Sequence, residues 1–212
     1  MFDAKIRPFI DPPLNLAARA LVAAGATPNR VTATGFGFTL LNFASLAFAQ
    51  YSLALTFIGL SRLMDGLDGA VARQIKITEQ DGRTHTGESD LGAFLDIVSD
   101  FIFYSGTVFF FAVGQPQFGL WAAFLIFCFM GTGSSFLAYA IIAAKHGINH
   151  QEQGKKSFFY LSGITEGSET IFVLVLICIF PDYFSYLSAV FGFLCLLTAA
   201  GRVRQGIADF KV

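Results

Sequence analysis

The segment LGAFLDIVSDFIFYSGTVFFFAV, residues 91–113, indicates the fold class of this chain. Apart from Asp96 and Asp100, every residue in it is uncharged. A helix needs about 20 mainly apolar residues to cross the hydrocarbon core of a bilayer. The segment is long enough, and it therefore predicts a membrane-crossing helix that carries two acidic residues.

The composition of the whole chain agrees with this segment. Of its 212 residues, 54% are hydrophobic and 14% are charged, whereas soluble domains carry about 25% charged residues. The net charge is −1. These values exclude a disordered chain, a disulfide-stapled secreted module and a nucleic-acid binder that depends on a basic patch. We expect membrane lipid around the protein and no nucleic acid as a partner.

Apolar segments recur along the chain, and each is long enough to cross a membrane as a helix. There are six: Val31–Tyr51, Ser52–Ala72, Leu91–Val113, Gly119–Ala144, Ser157–Phe180 and Tyr183–Gly201. Three cysteines lie within them without metal-ligand spacing and are expected to be packing residues. The predicted fold is therefore an all-α integral membrane protein, a bundle of six transmembrane helices that forms one membrane domain over residues 31–212.

Residues 1–30 precede this domain and are too charged and too rich in proline to be a signal peptide or a span. Leu14, Ala18, Leu21 and Val22 recur at helical spacing. This pattern predicts an amphipathic helix lying in the cytoplasmic interface of the membrane. A helix packed on the bundle is an equally good interpretation.

The positions of the basic residues predict the orientation. Of 14 Lys and Arg, only Arg62 lies inside a predicted span, and the others flank the spans on one side. Since basic residues concentrate in cytoplasmic loops, both termini and the polar loops at 74–90 and 145–156 are expected to be cytoplasmic.

Four acidic residues lie inside the second and third predicted spans: Asp65, Asp68, Asp96 and Asp100. A carboxylate in the middle of a membrane costs about 2.5–3.5 kcal/mol on insertion scales, so such residues usually have a function. At about 100° per residue, each pair lies on one helix face. If the two helices face each other, the four carboxylates meet and suit hard cations such as Mg²⁺ or Mn²⁺, in a number sufficient for two ions. The alternative is that they form buried salt bridges with Arg62 and Arg73, but two arginines cannot neutralise four carboxylates.

The spacing of these acidic residues is specific. Residues 65–73 are DGLDGAVAR and residues 92–100 are GAFLDIVSD. Together they resemble the signature of the CDP-alcohol phosphatidyltransferases, D-x2-D-G-x2-A-R followed by G-x3-D-x3-D, and every fixed position matches. The predicted six-span layout with an interfacial helix before it is also similar to that family.

The resemblance implies roles for individual residues. Asp65, Asp68 and Asp96 would bind two divalent cations, Mg²⁺ or Mn²⁺, and Asp100 would complete the site and serve as general base. Further residues would contact the cytidine nucleotide or the rest of the donor: Asn29, Thr32, Gly69, Arg73 and Ser89. Asn29 and Thr32 belong to a P-N-x-x-T stretch at 28–32 that is similar to one in the family, although helix capping explains them nearly as well. The spacer at 74–91 is longer than is usual in the family, which puts the role of Ser89 in doubt.

The expected activity follows from the resemblance. The protein would be a phosphotransferase of phospholipid biosynthesis that moves a phosphatidyl, or substituted phosphoryl, group from a CDP-linked donor to a small alcohol and releases CMP. CDP-diacylglycerol is the expected donor, a bacterial inner membrane the expected location and a homodimer the expected assembly. Glu166 and Glu169, at i and i+3 in span five, are candidates for holding the acceptor alcohol, and bonding to neighbouring helices is the alternative. The acceptor itself is left open.

Two other functions fit part of the pattern. A polyprenyl transferase also uses aspartate-rich motifs and magnesium, but it would leave Gly69 and Arg73 without a role. A divalent-cation transporter could use the aspartates as a permeation site, although the sequence shows neither the inverted repeats nor the broken helices typical of transporters.

Overall fold

The computed structural model describes residues 3–78, 84–87, 89–147 and 163–210. These residues form seven α-helices: α1 (Asp3–Ala23), α2 (Pro28–Ala47), α3 (Tyr51–Gln74), α4 (Asp90–Gly114), α5 (Gly119–Lys145), α6 (Gly167–Ile179) and α7 (Phe184–Asp209). Short 3₁₀ turns precede two of the helices, Pro116–Phe118 before α5 and Pro181–Tyr183 before α7. The prediction of a helical bundle is confirmed.

A small β-hairpin interrupts the helical pattern between α3 and α4. Strand β1 (Lys76–Thr78) pairs antiparallel with β2 (Thr84–Thr86), and Ile77 lies opposite His85. The sequence predicted a polar loop at 74–90, and these two short strands lie within it. The strands are rich in β-branched Ile and Thr, which favour extended backbone.

In the part of the chain that the structure describes, three helical stretches are long and apolar enough to cross a membrane: Asp90–Gly114, Pro116–Lys145 and Pro181–Asp209. The other predicted spans fall on α2, α3 and α6. Helix α3 carries four charged residues between positions 62 and 73, which lower its hydropathy, and α6 has only 13 residues. The prediction that span five begins at Ser157 lies partly outside the described residues, and residues 163–166 are not helical.

Helix α1 packs on the bundle. Ala18 is fully buried in a cluster with Val31, Leu67 and Val71. On another part of the helix surface, Phe9 and Leu16 are exposed. The helix is therefore present and packed, as one of the two interpretations expected, and its position in the membrane interface stays a prediction.

The connection between α2 and α3 is a tight turn. The N–H of Ala49 donates to the carbonyl of Leu46, and the N–H of Gln50 donates to the carbonyl of Ser45, which is the Schellman pattern of helix termination. Ala49 has a φ of 53°, a left-handed conformation that normally favours glycine. This turn holds α2 firmly against α3.

The core lies among α2 to α7, with Ala54 and Ile58 as the buried contribution of α3. Phe111 and Phe184 stack with ring centres 4.3 Å apart. The three cysteines, Cys128, Cys178 and Cys195, are buried and free, which confirms that they are packing residues. Helix α4 packs against both α2 and α5, so it connects the α1–α3 side of the bundle to the α5–α7 side.

Candidate active site

Asp65 and Asp68 lie one turn apart on α3, beside α2. The hydroxyl of Thr32 on α2 donates a hydrogen bond of 2.7 Å to Asp68 Oδ2. Helices α2 and α3 pack against each other, and this contact orients the Asp68 side chain. Thr32 therefore lies at the acidic site, and its contact is to a carboxylate; its role in donor binding stays a prediction.

Asp100 on α4 has a hydrogen-bond donor on each carboxylate oxygen. Arg62 Nη1 lies 2.5 Å from Asp100 Oδ1, and the hydroxyl of Tyr104, one turn further along α4, donates to Oδ2 at 3.2 Å. Two donors with different directions restrict the carboxylate to one orientation. Asp100 is thus held on both of its carboxylate oxygens.

Arg62 also reaches back to its own helix. Its Nη1 lies 3.5 Å from Asp65 Oδ2, and its guanidinium carbon lies 4.1 Å from the ring centre of Phe103. The salt-bridge alternative is therefore correct for Arg62, which pairs with two of the aspartates. The exposed Arg73 makes no such pair within the described part of the chain; its Nη1 lies beside Gly69, 3.3 Å from where a Cβ would be.

The four carboxylates form one electrostatic unit. The charge of Asp65 interacts with those of Asp68, Asp96 and Asp100, and Arg62 is the cation among them. Carboxylate oxygens in this number and at this density fit hard divalent cations. As the side chains are placed, however, no three acidic, histidine or cysteine groups among the described residues are arranged to hold a metal ion. The carboxylate oxygens thus fit the expected Mg²⁺ or Mn²⁺ as ligands. In the structure, however, two of the four carboxylates are paired with Arg62.

The remaining predicted donor-binding residues are Ser89, Asn29 and Gly69. Ser89 is the N-cap of α4, and its hydroxyl accepts a hydrogen bond of 3.1 Å from the N–H of Gly92. Asn29 is exposed in the first turn of α2. Gly69 lies on the same face of α3 as Asp65 and Asp68, as its spacing predicts. Their roles in nucleotide binding stay predictions.

A cavity of about 440 Å³ lies on the other side of Asp100. It is within the size range of small-molecule sites, about 300–1,000 Å³. Residues from four helices and from the loop before α6 line it: Ile97, Asp100, Phe101, Tyr104, Phe129, Thr132, Gly133, Phe136, Thr165, Glu166, Gly167, Thr170, Cys195 and Arg202. Asp100 is the aspartate that faces both the acidic cluster and this cavity.

Glu166 and Glu169 do not form a patch in the middle of a helix. Glu166 is the N-cap of α6, and its backbone N–H donates to Glu169 Oε2 at 3.2 Å, in a reciprocal capping box. The prediction that both lie on one helical face is therefore wrong, because the helix begins at Gly167. Glu166 lines the cavity, whereas Glu169 is not among its lining residues.

Arg202 and Tyr104 are cavity residues to which the sequence did not direct attention. Arg202 was attributed to the positive-inside rule, yet it is 7% exposed. It donates a hydrogen bond of 3.0 Å to the carbonyl of Thr132, and its charge interacts with Glu166. Tyr104 lies four residues after Asp100, and this helical spacing could have identified it as a partner.

The fold and the site together define a class of protein: a helical membrane protein with an acidic site beside a cavity between its helices. A family model described as CDP-alcohol phosphatidyltransferase matches residues 25–200. The chain belongs to the CDP-alcohol phosphatidyltransferase family, as its motifs indicated, and with its long apolar helices it is an integral membrane protein. This match favours the phosphotransferase interpretation over a polyprenyl transferase or a cation transporter.

Individual relatives extend this comparison. The chain is 43% identical over 212 residues to the inner membrane protein YnjF of Escherichia coli K12, covering 100% of this chain and 98% of the relative. It is 33% identical over 112 residues to the archaetidylinositol phosphate synthase of Pyrococcus horikoshii, covering 52% and 54% of the two chains. It is 29% identical over 127 residues to a phosphatidylcholine synthase of Mesorhizobium japonicum, covering 60% and 41%. The family and these two synthases are phospholipid-synthesising transferases.

Proposed function

We propose that this protein transfers a phosphatidyl group from a CDP-linked donor, CDP-diacylglycerol, to the hydroxyl of a small polar alcohol, with release of CMP. The position of Asp100 is the observation that carries the proposal. Its carboxylate is held on both oxygens and faces both the acidic cluster and the 440 Å³ cavity. A general base for this reaction has to lie where a phosphate site and an alcohol site meet.

The proposed chemistry follows from this placement. The acceptor alcohol lies in the cavity, and Asp100 takes the proton of its hydroxyl. The alcohol oxygen then forms a bond to the phosphorus that bears the diacylglycerol, and the bond from that phosphorus to the CMP oxygen breaks. Tyr104 keeps Asp100 oriented during this transfer. Asp65, Asp68 and Asp96, with Asp100 completing the set, would hold two divalent cations, Mg²⁺ or Mn²⁺, which supply charge stabilisation for phosphoryl transfer when bound.

We assign the donor to the α2–α3 side of the acidic site. Gly69 leaves space on α3 beside Arg73, and a guanidinium is well suited to binding phosphate oxygens in a bidentate manner. Asn29 and Thr32 at the start of α2, with Ser89 at the start of α4, are the further candidates for contacts to the nucleotide. Their contacts within the chain, capping for Ser89 and the Asp68 bond for Thr32, are compatible with a second role when donor is bound.

The names of the two synthases specify different products, so they point to different acceptor alcohols. In the cavity, Glu166 and Arg202 supply charge, and Thr132, Thr165 and Thr170 supply hydroxyl groups beside aromatic walls. Glu169 contributes through the capping box that positions Glu166. These groups are the proposed contacts to the alcohol.

The proposed setting is a bacterial inner membrane, since a relative that aligns over the whole chain is named an inner membrane protein. We propose six crossings, by α2 to α7, with both termini and the acidic site on the cytoplasmic side. This orientation rests on the placement of the basic residues. A homodimer is the assembly expected from the family.

Release of CMP tests the proposed function. Purified protein in detergent is mixed with CDP-diacylglycerol and a panel of alcohols, with Mg²⁺ or Mn²⁺ and, in parallel, with a chelator. We expect CMP release that requires both the metal and one of the alcohols. Metal uptake into proteoliposomes without any donor, or transfer from a prenyl diphosphate, would contradict the proposal.

A further inference from the structure

Arg62 lies at the centre of the acidic site and bridges two helices. Its side chain is 14% exposed, and its Nη1 contacts Asp100 at 2.5 Å and Asp65 at 3.5 Å. The guanidinium stacks on Phe103, which is fully buried. This arginine is therefore a fixed cation inside the carboxylate cluster, placed by packing as well as by charge.

The space beside Arg62 is small. A cleft of about 10 Å³ lies between α2, α3 and α4, bordered by Arg62 and by Thr32, Asp65, Asp68 and Ser99. Such a volume holds about one water molecule, whereas Mg²⁺ keeps a near-octahedral shell of oxygen ligands. Some of those ligands are the lining carboxylates themselves, so a cation bound to them lies close to the Arg62 guanidinium, whose positive charge opposes it.

We propose that Arg62 is a built-in competitor of the divalent cations. Its guanidinium contacts one oxygen of Asp65 and one of Asp100, and a cation that binds those oxygens has to displace it from at least one of them. This inference rests on the proposed function, in which the same carboxylates hold the metal. The affinity of the site for cations is therefore lower than its carboxylates alone would give. Arg62 occupies ligand oxygens, and its charge repels a cation nearby.

Binding of Mn²⁺ to the purified full-length protein, without donor or acceptor, measures this competition directly. Free Mn²⁺ is followed by electron paramagnetic resonance during a titration. We expect Arg62→Gln to lower the Kd for Mn²⁺ by about tenfold or more, since it removes a unit charge within a few ångströms of the ligands. Arg204→Gln is the matched control, because it removes the same charge from an exposed position near the end of α7, and its Kd should equal that of the wild type.

A second variant keeps the test decisive if Arg62→Gln fails to fold. Arg62→Lys retains the charge, but an ammonium cannot span both carboxylates and stack on the ring as the planar guanidinium does. Its Kd should lie between those of the wild type and Arg62→Gln. A Kd equal to or weaker than that of the wild type in these Arg62 variants would overturn the proposal.

The outcomes also separate this inference from the proposed function. If the wild type and all variants bind Mn²⁺ equally, the competition is refuted and the metal-dependent transferase stands. If none of them binds Mn²⁺, both the competition and the metal site of the proposed function are refuted.

Discussion

Replacing Asp100 with Asn should abolish most of the activity while leaving the protein folded. The amide keeps the shape of the side chain and can still accept a hydrogen bond from Arg62, but it cannot take a proton from the acceptor. Loss of a general base costs about 10²–10⁴-fold in rate. That range corresponds to about 3–5 kcal/mol in the activation free energy.

The contacts around Asp100 show why the fold should survive. Breaking a fully buried ion pair costs about 3–5 kcal/mol, but the Asp100 side chain is 30% exposed. Arg62 also keeps Asp65 at 3.5 Å and its stacking on Phe103. We therefore expect the free energy of unfolding to fall by only about 1–3 kcal/mol, at the lower end of what removing one partner of a charge pair does.

The assay is the initial rate of CMP release at saturating donor, with the melting temperature of each variant measured in the same detergent. Asp209→Asn is the matched control. Asp209 accepts a hydrogen bond of 2.6 Å from Tyr139 and lies outside the cavity lining. If Asp100→Asn releases CMP within about threefold of the wild-type rate, less than 1 kcal/mol in the activation free energy, Asp100 is not the base.

Three further predictions test the fold and the site. Ala49→Gly should raise the free energy of unfolding by about 0.4–1 kcal/mol in thermal or denaturant unfolding, because glycine adopts the left-handed φ of 53° without strain. Gly133→Ala should lower it by about 1–3 kcal/mol, because the new Cβ would lie 2.5 Å from Cε1 of Phe101, and the cavity should narrow. Thr32→Val should raise the Kd for Mn²⁺ a few-fold, because the hydrogen bond of 2.7 Å that orients Asp68 is lost.

Each of these predictions has a contrary result. A lower melting temperature for Ala49→Gly would mean that the turn at 48–50 is not as described. A Gly133→Ala variant as stable as the wild type would show that the Phe101 ring moves freely. Thr34→Val on the same helix is the control for Thr32→Val. An unchanged Mn²⁺ affinity in Thr32→Val would mean that Asp68 is not a ligand of the metal.

The sequence was sufficient to predict those parts of the site that depend on one helix. The spacing of Asp65 and Asp68, and of Asp96 and Asp100, places each pair on one face, because helical geometry alone decides it. The pairing of Arg62 with Asp65 at i,i+3 has the same origin. The shorter contact from Arg62 is to Asp100, 38 residues away, and it depends on how α3 and α4 pack.

The α6 region shows the opposite case. An apolar run with Glu166 inside it suggested one long helix, but the backbone turns at 163–166 and Glu166 caps the helix that begins at Gly167. Hydropathy does not register a helix start when apolar residues continue on both sides of it. The position of Arg202 in the cavity could not be predicted either, because an arginine near a helix end satisfies the positive-inside rule whether it faces solvent or a cavity.

The fate of the phosphorus tests the central claim most directly. CDP-diacylglycerol labelled at the phosphorus bonded to the diacylglycerol is incubated with the protein, a divalent cation and the panel of alcohols, and the lipid and water phases are separated. The proposed reaction predicts that the label stays in lipid, in a new phospholipid that contains the alcohol, while unlabelled CMP appears in the water phase. Label released into the water phase, or no labelled lipid with any alcohol under conditions in which the protein is folded and binds Mn²⁺, would contradict it.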